Sequence, residues 1–255
     1  MTLTQPEFAG AQIRPSPNFG ERIGGPADML VLHYTGMDSA DDAIEWLCSP
    51  RSEVSAHYFV FEDGRTVQMV PEDKRAWHAG ASSWQGQRDL NSRSIGIEIA
   101  NPGHQGDYPD FPPKQIEAVV ELCQYCVKKW AIVPQRVLAH SDIAPQRKED
   151  PGEKFPWRSL FDAGVGHWVE PSTATGGRFL HRGDRGQPVE ALQAMLAMYG
   201  YSVEITGLFD EDLETNVRAF QRHFRPARVD GVADVSTIET LHKLLSAIPE
   251  GPPKG

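Results

Sequence analysis

Two histidines each close a short apolar run, and an aspartate follows the second of them ten residues later. The runs are Met29-Leu30-Val31-Leu32-His33 and Arg136-Val137-Leu138-Ala139-His140; the aspartate is Asp150, in Lys148-Glu149-Asp150-Pro151-Gly152. Four or five apolar residues ending in a polar one read as a buried strand that delivers its last side chain to a sheet edge. In open α/β sheets that edge is where ligands bind. Two neutral imidazoles and a carboxylate suit Zn²⁺, and three protein ligands leave a fourth position for water, as in a hydrolytic site. A lone histidine at a strand end is more commonly a hydrogen-bonded structural group, so the metal reading for His33, His140 and Asp150 depends on the segments around them.

Ser94-Ile95-Gly96-Ile97-Glu98-Ile99-Ala100 alternates strictly. Ile95, Ile97 and Ile99 form a face to be buried, and Glu98 shares the other face with Gly96 and Ala100, whose small size leaves room for a substrate. A carboxylate there can serve as general base and later protonate a leaving amine; the competing reading is a solvated strand face. Lys148 stands two residues before Asp150, where its ammonium can stabilise a developing oxyanion, although an exposed loop lysine is the commoner case. Arg75-Ala76-Trp77-His78-Ala79-Gly80 pairs an aromatic ring and an imidazole with small residues, as a groove wall requires. Trp77, His78, Asn101 and His57 are the substrate-binding candidates, His57 also being placed to support the metal site from behind.

Stepping outward, the 255 residues fit one large or two smaller domains, and 40% apolar and 24% charged residues describe a globular chain. The net charge of −10, with no cluster of Lys and Arg, argues against nucleic-acid binding. Three cysteines cannot form a complete disulfide framework. Cys123 and Cys126 have CxxC spacing but share a helical apolar face with Ile116, Val119, Val120, Val127 and Trp130, so they read as small buried hydrophobes. No run is long enough to span a membrane, and Met1–Gly20 has no apolar core of signal-peptide length.

The positioning elements follow from periodicity. Residues 1–28 read as an extended arm, followed by the strand ending at His33 and a short helix near 41–47. A hairpin of 54–62 and 66–70 turns at Asp63-Gly64. Strand 94–100, a helix over about 113–130, the strand ending at His140, a long loop and a helix near 157–161 complete the first part. The expected fold class is α/β: a mixed central sheet flanked by helices, plus a small C-terminal three-helix domain. Pro171-Ser172-Thr173-Ala174-Thr175-Gly176-Gly177 has linker composition. Beyond it, Val189-x-Ala191-Leu192-Gln193-x-x-Leu196 recurs 28 residues later as Val217-x-Ala219-Phe220-Gln221-x-x-Phe224, the copies being followed by turns at Gly200 and Gly231. The expected division is a first domain at 1–168, a linker at 169–178, a helical domain at 179–248 and a frayed tail at 249–255.

Leu32-His33-Tyr34-Thr35-Gly36, Arg75 through Gly80, Ser94 through Glu98, and His140-Ser141-Asp142-Ile143-Ala144-Pro145-x-Arg147-Lys148-x-Asp150-Pro151-Gly152 resemble, in order over about residues 14–163, the zinc N-acetylmuramoyl-L-alanine amidases of the AmpD type. The resemblance implies one catalytic Zn²⁺ held by His33, His140 and Asp150, with Glu98 and Lys148 as the catalytic pair. It implies hydrolysis of the amide between N-acetylmuramic acid and L-alanine of the peptidoglycan stem peptide. More distant relatives in phage and among recognition proteins carry Cys where Asp150 stands and a Tyr near His57, and this sequence departs from them there. Leu192-Gln193, Gly200-Tyr201, Gly207-Leu208-Phe209-Asp210, Ala219-Phe220-Gln221 and Asp230-Gly231 resemble a peptidoglycan-binding module, whose expected role is tethering. The expected partners are peptidoglycan and muropeptides, and the expected compartment is the periplasm or envelope, with the cytoplasm as alternative. A non-catalytic muropeptide binder and a zinc peptidase acting within the stem peptide are the competing functions. Oligomeric state is not readable.

Overall fold

The computed structural model describes residues 3–248; the tail expected at 249–255 lies outside the described residues. Eight strands build two sheets: β1 (Ala11–Ile13), β2 (Phe19–Glu21), β3 (Met29–Tyr34), β4 (Tyr58–Val60), β5 (Thr66–Gln68), β6 (Lys74–Ala76), β7 (Ser94–Ile99) and β8 (Val137–Ala139). The main sheet has the order β1-β5-β4-β7-β3-β8, and β2 pairs with β6 beside it. Only the β4–β5 pair of the main sheet is antiparallel, so the sheet is mixed, as the element pattern requires. The arm expected at 1–28 is not free. β1 pairs with β5 and forms the edge of the main sheet, and β2 pairs with β6, a strand the sequence pattern does not announce.

The two faces of the sheet take different cover. Leu30 and Leu32 of β3 and Ile95, Ile97 and Ile99 of β7 point to helix α2 (Pro113–Trp130). Pro113 suits the first turn of that helix, where no N–H partner is needed. Its Ile116, Val119, Leu122, Cys123 and Cys126 are buried in the same cluster, which leaves both cysteines as packing groups. Phe59 and Val67 pack instead with Ala43, Ile44 and Leu47 of helix α1 (Ala40–Leu47). Ser39 caps α1 by accepting from the amide of Asp42.

The chain after β8 departs from the simple expectation at one position. The strand ends at Ala139, and His140 opens a four-residue helix, α3 (His140–Ile143). Helix α4 (Trp157–Asp162) follows. The C-terminal helices are α5 (Gln187–Tyr199), α6 (Glu211–Phe224) and α7 (Val235–Ser246). The repeat has a physical basis in two buried glutamines. Gln193 Oε1 accepts from the amides of Thr206 and Gly207, and Gln221 Oε1 accepts from those of Asp230 and Gly231. Their Nε2 groups donate to the carbonyls of Leu208 and Val232. The glycine equivalent to Gly231 is therefore Gly207; Gly200 instead ends α5 beneath Trp84.

The two halves are not separate bodies joined by a strap. Met29, Val31, Trp84, Leu90, Leu138 and Ile143 form one apolar cluster with Val189, Leu192, Tyr199, Tyr201, Phe220 and Phe224. Trp84 is fully buried and meets Tyr201 edge-on at 5.0 Å. Truncating a buried aromatic loses transfer energy and leaves a cavity, costing about 3–5 kcal/mol. Trp84→Ala is expected to lower the unfolding free energy by that amount in a urea titration, with fluorescence and circular dichroism midpoints both displaced.

Candidate metal centre and active-site cleft

Strand register brings the candidate residues together. His33 of β3 is level with Glu98 of β7, and Leu32 is level with Ala139 of β8, which puts His140 next in line. Neighbours in register share a face, so three adjacent parallel strands present Glu98, His33 and His140 in one row at their C-terminal ends. Asp150 returns to this row through the loop after α3, fastened where the amide of Ser141 donates to the Asp150 carbonyl at 3.0 Å.

His33 Nδ1, His140 Nδ1 and Asp150 Oδ2 form a triangle with sides of 2.9, 3.0 and 3.1 Å. All three residues are buried. We assign the proton on each ring from its hydrogen-bond partners, giving the Ala79 carbonyl precedence at His140 Nε2 over the Arg147 guanidinium at 3.4 Å. His140 Nε2 donates to the carbonyl of Ala79 at 3.2 Å, which leaves Nδ1 as a lone pair. Ser94 Oγ donates to the carbonyl of Leu90 at 2.6 Å and accepts from His78 Nε2 at 3.1 Å. His78 Nδ1 must then accept, and it takes the proton of His33 Nε2 at 3.0 Å. His33 Nδ1 is thereby also a lone pair. Two imidazole lone pairs and a carboxylate oxygen facing one point repel one another unless a cation stands among them, so the donor set fits a divalent metal ion.

The electrostatics agree with that arrangement. Burial, with His140 adding to it, pushes His33 down to about 4, so the ring is neutral at pH 7. Glu98 is pushed well above its ordinary value by burial and by the Asp150 carboxylate, with Lys148 opposing. Its Oε2 is buried and has no hydrogen-bond partner among the described residues.

These groups sit at the floor of a cleft of about 450 Å³. Lys148, Arg147 and Glu149 line one side; Trp77, Trp46, Leu47, Met37 and Val54 form an apolar wall. Of the substrate-binding candidates only Trp77 presents a free face to the cleft. His78 reaches its edge, but both ring nitrogens are engaged by His33 and Ser94, so it supports the metal centre. The space above Gly96, expected to receive substrate, holds the His78 ring: a Cβ there would lie 2.5 Å from its Cγ. His57 is buried behind the site, accepting from the Gly96 amide at 2.9 Å and meeting the Lys74 carbonyl at 3.0 Å. Asn101 does not line the cleft itself; it donates to the Pro109 carbonyl and accepts from the Gly103 amide, shaping the loop whose Pro102 and Gln105 do. Sequence reasoning missed Asn91, whose Oδ1 accepts from the amides of His78 and Ala79 and so fixes both ring partners. It also missed Trp46, an aromatic residue on an amphipathic helix that no core covers, which was the available signal.

The profile of the N-acetylmuramoyl-L-alanine amidase family matches residues 23–153, and that of a peptidoglycan binding domain matches residues 185–241. The N-acetylmuramoyl-L-alanine amidase AmiD of Escherichia coli is 38% identical over 234 residues, covering 85% of this chain and 82% of its own. The 1,6-anhydro-N-acetylmuramyl-L-alanine amidase AmpD of the same species is 34% identical over 175 residues, covering 62% of this chain and 93% of its own. Among solved structures, AmiD in complex with anhydro-N-acetylmuramic acid-L-Ala-D-γ-Glu-L-Lys aligns with a TM-score of 0.75 at 36% identity, covering 86% of this chain and 89% of its own. AmpDH3 from Pseudomonas aeruginosa with an anhydromuramic pentapeptide aligns with a TM-score of 0.75 at 32% identity, covering 98% and 100%.

Two outcomes follow from the buried imidazoles. Gly96→Ala must displace the His78 ring and release the proton arrangement of His33; a lost partner behind a metal ligand costs about 10–100-fold in metal affinity, to be read by competition with a chromophoric chelator. Burial and Arg22 push His57 from its ordinary 6.5 down to about 3. Between those values the unfolded chain binds the extra proton, so the stability owed to neutral His57 is complete above pH 6.5 and lost as pH falls. The slope is up to about 1.4 kcal/mol per pH unit. Urea titrations of His57→Gln between pH 6 and 4.5 are expected to show a pH dependence shallower by about one proton than the parent.

Proposed function

This chain belongs to the N-acetylmuramoyl-L-alanine amidase family, and on that premise we propose that it hydrolyses the amide between the lactyl group of N-acetylmuramic acid and the L-alanine of the peptidoglycan stem peptide, at a single zinc ion. The observation that carries the reading is the convergence of His33, His140 and Asp150 beside Glu98 in one cleft. His33, His140 and Asp150 would hold the zinc ion, which when bound would supply a water of lowered pKa and a Lewis acid for the scissile carbonyl.

The remaining work falls to the chain. Glu98, one strand away from His33, accepts the proton of the attacking water on its carboxylate at the floor of the cleft. Its elevated proton affinity suits the second half of the cycle, when the same proton passes to the departing amine of L-alanine. The C–N bond breaks, the water oxygen remains on the lactyl carbonyl carbon as carboxylate, and the amine leaves protonated. Lys148, which lines the same cleft, places an ammonium where negative charge builds on the carbonyl oxygen. Trp77 and Trp46 offer flat apolar faces on which the sugar ring and the stem peptide rest.

The region matching the peptidoglycan binding domain supports action on wall material, and we place the protein in the periplasm or envelope on that ground. Among the described residues no helix is long and apolar enough to cross a membrane.

Incubation with purified peptidoglycan is expected to release stem peptides with a free L-alanine amino terminus, and a chelator to stop the release. Fragments cut inside the stem peptide would show a peptidase instead. Glu98→Gln should retain zinc and lose about 10²–10⁴ in kcat, the usual worth of a general base. Lys148→Ala should lose about 10²–10³ in kcat, the usual worth of an oxyanion partner. Near-parental turnover in zinc-loaded variants would remove both assignments.

A further inference from the structure

The C-terminal helices reach the metal-ligand segment directly. Asp142 lies two residues after His140, and its side chain is wholly buried. One carboxylate oxygen accepts from the amide of Ala139 at 2.8 Å, within its own domain. The same oxygen is met by His223 Nδ1 of α6 at 2.7 Å, and the other accepts from Tyr201 Oη at 2.6 Å. His223 is itself held in a stack, its ring centroid 3.7 Å from that of Trp157 and 3.8 Å from that of Phe224. A second contact falls on the other ligand: Arg222 of α6 donates to Glu149, the residue before Asp150, and its Nε lies 3.8 Å from Glu153. Within the first domain, the Ser141 amide ties the His140 turn to the Asp150 carbonyl.

A buried carboxylate is stable only with its hydrogen bonds made, and two of the three partners of Asp142 come from beyond residue 178. We propose that the C-terminal helices position the metal ligands: Tyr201 and His223 acting through Asp142, and Arg222 acting through Glu149, hold His140 and Asp150 at the spacing a cation requires. Tyr201, His223 and Arg222 are positioning residues; none of them lines the cleft. The inference rests on the zinc reading above, and it gives the module a task in the soluble reaction that a tether does not have.

The test uses full-length Tyr201→Phe, which removes one hydroxyl, and Arg222→Gln, which replaces a mostly buried guanidinium by a neutral amide, with circular dichroism checking that both variants fold. Zinc affinity is measured by chelator competition, ligand geometry by the visible spectrum of the cobalt-substituted protein, and kcat and KM on a soluble anhydromuramyl tripeptide. Binding to insoluble peptidoglycan is measured by co-sedimentation. The expected result for Tyr201→Phe is a loss of zinc affinity of about tenfold or more, a shifted cobalt spectrum, and lower kcat at similar KM. Arg222→Gln is expected to lose a smaller factor, and wall binding is expected to stay at the parental level in both. Zinc affinity and cobalt spectra equal to the parent in both variants, or loss confined to wall binding, would overturn the proposal. A parent that neither binds zinc nor releases stem peptide would instead overturn the function on which it rests.

Discussion

Three lone pairs directed at one point, about 3 Å from each other, are the constraint to which the rest of the molecule answers. Such an arrangement is unfavourable in itself, and each donor has to be held against its neighbours. The holding is done with protons. His140 gives its second nitrogen to the Ala79 carbonyl, and His33 passes its own through His78 and Ser94 to the Leu90 carbonyl. Asn91 fixes the backbone on which both chains of hydrogen bonds end. The parallel β7-β3-β8 register supplies the coarse alignment, and the side-chain network supplies the tenths of an ångström.

The same logic explains the small residues around the centre. Gly96 exists where it does because an imidazole lies against its backbone. Gly152, just after Asp150, has a positive φ and is crowded by the Tyr108 hydroxyl, which donates to the Pro151 carbonyl. Tyr34 and His104 close the loop on that side, with Tyr34 Oη 3.1 Å from His104 Nδ1 and His104 Nε2 3.0 Å from Glu153. Each of the three donors is thus braced by neighbouring side chains, Tyr34 and His78 at the cleft itself and the others behind it.

Much of this was legible before any coordinates. His33, His140, Asp150 and Glu98 could be found because their information is local: an apolar run that stops, or a strand that alternates. Helix α2 could be placed nearly to the residue because its apolar spacing and its starting proline agree. The supporting groups could not be found that way. His57 and His78 look alike in sequence, each a histidine beside an aromatic residue, and only the packing shows that one lies behind the sheet's end and the other against His33. Strands β1, β2 and β6 are three residues each, too short for alternation to register, and they exist because edge backbone needs partners. The linker composition of 171–177 was correct as local chemistry and misleading as architecture, since the contacts that join the two halves come from residues far away on either side.

Because Trp84, Tyr201 and their neighbours weld the two halves into one apolar mass, the cleft and the helical module stand at a set offset and orientation. Two sites on a floppy leash sample many separations and gain avidity over a broad range of targets; two sites on a rigid frame gain it only where the target repeats at the matching interval. With the helical module holding wall polymer, such a frame would act as a caliper. On a polymer with regularly spaced stem peptides, it would reach some bonds well and its immediate neighbours poorly, so the pattern of cuts along a strand would be written by the frame as much as by the chemistry of the cleft.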